Sequence, residues 1–278
     1  MSIYWRMIRP GLLATVLFSM AVAALAAPEP PPWTRLAAAM GGVALLIAGA
    51  SAANQLAERR GDAQMERTAD RPLPSGRATE RQAARFAALC SLAGIVWLAA
   101  FQPSAVALLG ALSWCLYVLI YTPLKRASLW HIPLGAAAGA LPVLVGAAAA
   151  RATFEPVPLA LFAAVFCWQF PHTAAIGWIY REQYANSRIR VAAVADPSGR
   201  LAGGLAVLGA AGLLLAGLVP ALFLPGGAYL PVALSLGVIH LAVAASFLHR
   251  PCDARAKTLW RMSLIHLPIL FIALLCNG

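Results

Sequence analysis

Asn54, Glu58 and Asp62 stand at intervals of four residues. On a helix that spacing stacks all three on one face, about one turn apart. Oxygen ligands stacked this way suit Mg2+, which takes one or two carboxylates and fills its other positions with phosphate oxygens and water. Arg67 and Arg71, also four apart, can meet the same phosphates through paired N–H groups. Pro72 and Pro74 end any helix near Arg71, and Ser75-Gly76 makes a turn. On spacing alone a solvated helix end, with the acids facing neighbours such as Arg59 and Glu66, is the simpler account. Asn54, at the boundary of an apolar run, shifts the balance toward a built polar site.

The elements that must position these residues follow from composition. Of 278 residues, 61% are hydrophobic and 11% charged, and the mean hydropathy is +0.76. Soluble domains carry about 45–50% and about 25%. Such a chain cannot cover its apolar atoms with a polar surface, which excludes a soluble domain and a disordered chain. The apolar runs are long and continuous, which excludes a membrane β-barrel. A span needs about 20 apolar residues, and nine are predicted: 10–27, 36–57, 85–101, 103–121, 131–150, 157–179, 201–220, 227–248 and 259–276. Proline or charge marks the breaks at Pro28 to Pro32, Gln102-Pro103, Glu155-Pro156 and Pro225-Gly226-Gly227. The expected fold is an all-α polytopic membrane protein, a bundle of about nine transmembrane helices with a central cavity open to the cytoplasmic side. One domain is expected over residues 1–278. The first run also reads as a signal peptide, with Arg6 and Arg9 before it and small residues before Pro28. It is longer than the roughly 7–15 residues of a usual signal core, so a retained span is expected.

The formal net charge is +11. Of the 21 Lys and Arg, all but Arg35 and Arg151 fall at the N-terminus or after the even-numbered spans. This asymmetry places those segments in the cytoplasm and the C-terminus outside. The basic balance therefore reads as membrane orientation and an anionic substrate, with no nucleic acid. All of the ten acids but Glu29 and Glu155 share that face. Orientation does not require acids there. They mark either a polar site at the cytoplasmic mouth or simply loops that hold charges a bilayer excludes. Cys90, Cys115, Cys167, Cys252 and Cys276 are scattered and form no CxxC pair, so a disulfide framework, a zinc site and covalent haem attachment lack support.

Residues 54–77 resemble the first polar loop of the UbiA superfamily of intramembrane prenyltransferases, and more narrowly its protohaem IX farnesyltransferase branch. That branch has an Asn, acids four, six and eight residues on, a Met-x-Arg-Thr and an Arg-Pro-Leu-x-x-Gly. Here stand Asn54, Asp62, Met65-Glu66-Arg67-Thr68 and Arg71-Pro72-Leu73-Pro74-Ser75-Gly76. Tyr121-Thr122 with Lys125-Arg126, and Trp168-Gln169-Phe170-Pro171-His172, are similar to further signatures of the branch. Arg181, Tyr184 and Ile189 fall in its second polar loop, and Ala254 to Pro268 looks like its last basic loop and helix. The departures are Glu58 for an Asp, Arg60 for an acid, Gln183 (beside Glu182) for an Asp, and Ile189-Arg190-Val191-Ala192-Ala193 for an Ile-Pro-x-Leu-Pro run.

The resemblance implies an integral protein of a bacterial-type inner membrane, in contact with membrane lipid. It implies transfer of a farnesyl group from farnesyl diphosphate to a vinyl group of protohaem IX, forming haem O. Haem-handling or oxidase-assembly proteins are its implied partners. Catalysis would rest on Asp62, Glu58, Asn54 and Lys125. Substrate binding would rest on Arg67, Arg71, Arg126, His172, Arg181 and Tyr184. Mg2+ would be held by Glu58, Asp62 and Asn54. His172 reads either as a haem ligand or as a histidine satisfied by hydrogen bonds. Arg60 and Gln183 keep open a non-catalytic relative that binds haem or prenyl lipid, and a prenyltransferase with another acceptor is a third reading. His131 and His249 are expected at the membrane interface, and His240 and His266 in packing. Trp33, Trp97, Trp130, Trp178 and Trp260 are expected to be interface anchors. Polar clusters after spans two and six hint at a four-span pseudo-repeat.

Overall fold

The computed structural model describes residues 2–224 and 227–277, so the expected break at Pro225-Gly226 lies outside the described residues. Among those residues there are helices and no strands. The long apolar helices are α1 (Pro10–Leu25), α2 (Trp33–Asp62), α3 (Glu80–Phe101), α4 (Ser104–Leu124), α5 (His131–Ala149), α6 (Pro156–Ile179), α7 (Arg200–Leu222), α8 (Tyr229–His249) and α9 (Asp253–Leu275). Eight are long and apolar enough to cross a membrane. The other, α1, has 16 residues. At about 1.5 Å per residue it falls short of the roughly 30 Å hydrocarbon layer. Arg9, at φ 59°, starts it, and Pro28 to Pro32 prevent its continuation.

Local chemistry sets where helices start and how closely they pack. Thr79 and Gln82 form a reciprocal capping box, so α3 begins at Glu80, ahead of the expected residue 85. Helix α2 runs unbroken through the polar stretch to Asp62, so Asn54, Glu58 and Asp62 share one rigid element. A Cβ on Gly146 would run into the Met20 carbonyl oxygen, so only glycine lets α5 lie this close to α1.

The helices fall into two sets of four. Helix α2 packs on α3, and α4 on α5; likewise α6 packs on α7, and α8 on α9. In each set the fourth helix returns against the first, α5 on α2 and α9 on α6. Helix α1 lies mainly along α5, and α5 joins the sets through α6. The four-span recurrence is therefore visible in the packing. The segments after α2 and α6, the leading helix of each set, meet at one end of the bundle. Leu89, Leu108, Leu208, Leu215 and Ile272 stay exposed on the outer faces, as lipid-facing side chains do.

One departure from regular geometry reaches the site. Pro123 has no N–H to give the Leu119 carbonyl, and residues Leu116–Tyr121 of α4 relax into a π-helical turn. The Thr122 hydroxyl donates to the Tyr117 carbonyl at 2.8 Å and stabilises the widened turn. Tyr117 and Tyr121 then stand side by side, ring centroids 5.1 Å apart.

Candidate active site

The face of α2 bearing Asn54, Glu58 and Asp62 opens on a cavity of about 310 Å³. Asn54 is buried; its amide donates to Thr122 Oγ1 at 3.3 Å and its carbonyl accepts from the Tyr117 hydroxyl at 3.4 Å. Glu58 Oε1 lies 2.6 Å from Lys125 Nζ. Asp62 Oδ2 lies 2.6 Å from Arg71 Nη1. The acids therefore face cations brought in by the loops after α4 and α2, rather than Arg59, which pairs with Glu80 at 2.6 Å. The Thr68 hydroxyl donates to the Asp62 carbonyl at 2.9 Å and folds the loop carrying Arg67 and Arg71 over the end of α2.

Six charged side chains line the cavity: Arg9, Arg67, Arg71 and Lys125 against Glu58 and Asp62. The excess of cations suits an anion of two or more charges. Lys125 Nζ also sits 4.5 Å over the Tyr121 ring. Burial disfavours its ammonium form, but Tyr121 and Glu58 outweigh that and push the pKa above the usual lysine range. Arg67 Nη2 donates to the Tyr184 hydroxyl at 3.3 Å, and its guanidinium lies 5.3 Å over the Tyr180 ring. The second polar segment thus contributes Tyr184 to the cavity, and neither Glu182 nor Gln183 lines it.

Helix α6 forms the opposite wall with Gln169, His172 and Thr173. His172 stacks on Trp168 at 4.6 Å, and its Nδ1 lies 2.8 Å from Ser263 Oγ. The Ser263 hydroxyl gives its one proton to the Trp260 carbonyl at 2.6 Å. His172 Nδ1 must therefore be the donor, which leaves a lone pair on Nε2 of the neutral ring. At its inner end the cavity shares Leu12, Tyr117 and Gly139 with a second chamber of about 90 Å³, walled by residues such as Val43, Leu46, Ile47 and Val145. A polar mouth over an apolar chamber can hold the head of an anionic lipid and its tail.

The cavity brings together Asn54, Glu58, Asp62, Arg67, Arg71, Lys125, His172 and Tyr184. It does not include Arg126 or Arg181. Arg181 bridges to Asp253 at 2.8 Å and lies 4.8 Å over Trp178. Trp178 is buried and donates to Asp253 Oδ1 at 3.0 Å, so it is a packing residue and no interface anchor. His131, expected at the interface, is buried in the cavity wall with Nε2 2.7 Å from the Arg190 carbonyl oxygen. The sequence carried a signal for it in the span boundary beside Tyr121 and Lys125, but none for its direction. His240 and His266, expected in packing, are buried with their Nδ1 atoms 3.0 Å apart. Among the described residues no group of three His, Cys, Asp or Glu could hold a metal ion alone. Two carboxylates on adjacent turns still match a cation that takes its other ligands from phosphate and water.

Fold and site together define an intramembrane prenyltransferase class: residues 12–273 match the UbiA prenyltransferase family, and the chain belongs to it. It is 39% identical to the protoheme IX farnesyltransferase of Rhodopirellula baltica over 84% of each chain. It is 38% identical to the protein of that name from Solibacter usitatus, over 83% of this chain and 79% of that one. Among solved structures, a UbiA homologue from Aeropyrum pernix K1 superposes with a TM-score of 0.75 at 19% identity, covering 96% of this chain and 98% of that one. A UbiA homologue from Archaeoglobus fulgidus, bound to DMAPP and Mg2+, gives 0.69 at 15% identity, covering 98% and 99%. These two share the fold.

Proposed function

We propose that this protein transfers a farnesyl group from farnesyl diphosphate to a vinyl group of protohaem IX, forming haem O. The reading rests on one observation: two carboxylates and four cations gather at the mouth of a cavity that continues into an apolar chamber. The activity named for the relatives from Rhodopirellula and Solibacter supports the same reading. Residues 1–278 would act as a single domain, in contact with membrane lipid. The N-terminus and polar loops would face the cytoplasm of a bacterial-type inner membrane and the C-terminus the outside, on the Lys and Arg asymmetry.

Arg67, Arg71 and Lys125 would bind the diphosphate and stabilise the charge that builds on it as the allylic C–O bond breaks. Glu58 and Asp62, with Asn54, are the residues that would hold Mg2+; a UbiA homologue that shares the fold is bound to DMAPP and Mg2+, in keeping with use of that ion. When bound, Mg2+ neutralises diphosphate charge as a Lewis acid. Tyr117 and Tyr121 would face the allylic cation with their rings. The apolar chamber would hold the isoprenoid tail and keep water from the cation. The vinyl carbon captures that cation, water adds to the adjoining carbon, and one proton leaves. His172 Nε2, on the opposite wall, would be offered to the acceptor. Asp62→Asn tests the assignment in an assay with farnesyl diphosphate and haem. Turnover is expected to fall by on the order of 100-fold or more; wild-type turnover in that variant removes Asp62 from the site.

A further inference from the structure

Arg60, where the resembled branch carries an acid, does not line the cavity with Glu58 and Asp62. Two residues further along a helix than Glu58, it points about 200° away around the axis. It opens instead on a separate concavity of about 500 Å³ with Arg126, from the loop after α4, and Arg188, from the segment after α6. Gln64 and Asn186 complete the polar rim. Among the described residues no acid lines it, and none of the three arginines has a carboxylate within ion-pair distance. Three like charges brought to one hollow by three separate segments repel one another unless an anion joins them.

The floor is built for this arrangement. Ser187 is buried; its hydroxyl donates to the Gln183 carbonyl at 2.9 Å, and its Oγ packs 3.2 Å from the Gly61 carbonyl oxygen, setting the Arg188 segment against the end of α2. Arg126 Nη2 lies 3.3 Å from where a Cβ on Gly61 would stand, so the bare glycine gives the guanidinium its seat. Arg60 and Arg126 stand at or just beyond the ends of membrane-spanning helices, the depth at which phosphates of a bilayer lie. Planar guanidinium forks match phosphate oxygens in pairs.

We propose that Arg60, Arg126 and Arg188 form a second oxyanion site that binds a phosphate group and is separate from the Glu58–Asp62 cavity. The group comes either from a soluble diphosphate or from an anionic phospholipid headgroup. Because all three side chains are exposed and unpaired, R60A/R188A leaves no buried charge behind and its unfolding midpoint should match wild type.

The test uses the full chain with divalent cations removed by chelation, so that metal-assisted binding at the carboxylates is suppressed. Inorganic diphosphate is titrated into wild type, R60A/R188A and R67A by calorimetry. In parallel, wild type and R60A/R188A in nanodiscs of phosphatidylglycerol or phosphatidylcholine are analysed for retained lipid by native mass spectrometry. At least a tenfold loss of diphosphate affinity in R60A/R188A, with R67A unaffected, supports the site with a soluble ligand. Loss of retained phosphatidylglycerol in R60A/R188A, with phosphatidylcholine unchanged, supports it with a lipid headgroup. If R60A/R188A equals wild type in both measurements, whether or not R67A loses diphosphate, the proposal is overturned. Neither result depends on turnover, so failure here leaves the proposed transfer reaction standing, and the reverse.

Discussion

Lys125 Nζ lies 2.6 Å from Glu58 Oε1, with the two side chains only 16% and 13% exposed. A pair buried this deeply costs desolvation, and removing one partner strands the other. Lys125→Met should therefore destabilise the protein by about 3–5 kcal/mol. Glu58→Gln together with Lys125→Met should recover most of that loss, as read by thermal unfolding in detergent. An additive double variant would show that the pair is not coupled.

The same amine sets a pH dependence. Its folded pKa lies above the ordinary lysine value of 10.5. The stability it contributes is complete below that value and is lost only as pH rises through the elevated folded value. The unfolding midpoint of wild type, compared with the Glu58→Gln/Lys125→Met variant, which leaves no stranded carboxylate, should show a constant difference through neutral pH. The difference should close only in strong alkali. A difference that closes near neutral pH contradicts the assignment.

Ala50 lines the apolar chamber next to Leu46 and Ile47. Ala50→Phe fills space assigned to the isoprenoid tail. The variant should favour geranyl over farnesyl diphosphate by on the order of tenfold, because each methylene in a fitted pocket is worth about 1–3 kcal/mol. Competition between the two donors, read as the ratio of kcat/KM, checks it. An unchanged ratio places the tail elsewhere.

Ser263 holds His172 through Nδ1 and so keeps Nε2 unprotonated. Ser263→Ala should weaken haem binding by about 10–100-fold and shift the absorption band of bound haem in the same direction as His172→Ala. If neither variant moves the band, His172 does not contact the iron.

The stacking of Asn54, Glu58 and Asp62 was legible in the sequence because helical periodicity alone decides it. The same arithmetic separates Arg60 from that face, which explains how the acid-to-arginine change leaves the carboxylate pair intact. Charge asymmetry groups Lys125 with the polar end of α2 in the sequence, but its partner depends on how α4 meets α2. The π-helical turn that aligns Tyr117 with Tyr121 arises from Pro123 together with the Thr122 hydroxyl, a local effect that apolar periodicity does not register. The pairing of His240 with His266 joins two helices of the second set, and one-dimensional spacing holds no trace of it. Helix α1 ends at Leu25, short of the predicted span 10–27, because hydropathy continues past the point where the backbone stops being helical.

The most direct test supplies purified wild-type protein with farnesyl diphosphate and haem, across a range of Mg2+ concentrations, and identifies the product by mass spectrometry. The carboxylate-and-cation cavity predicts a product of haem plus one farnesyl and one hydroxyl group, formed only with a divalent cation and lost in Asp62→Asn. Product formation that is indifferent to chelation and to Asp62, or intact haem and donor recovered together from a well-folded protein with Mg2+ present, would contradict it.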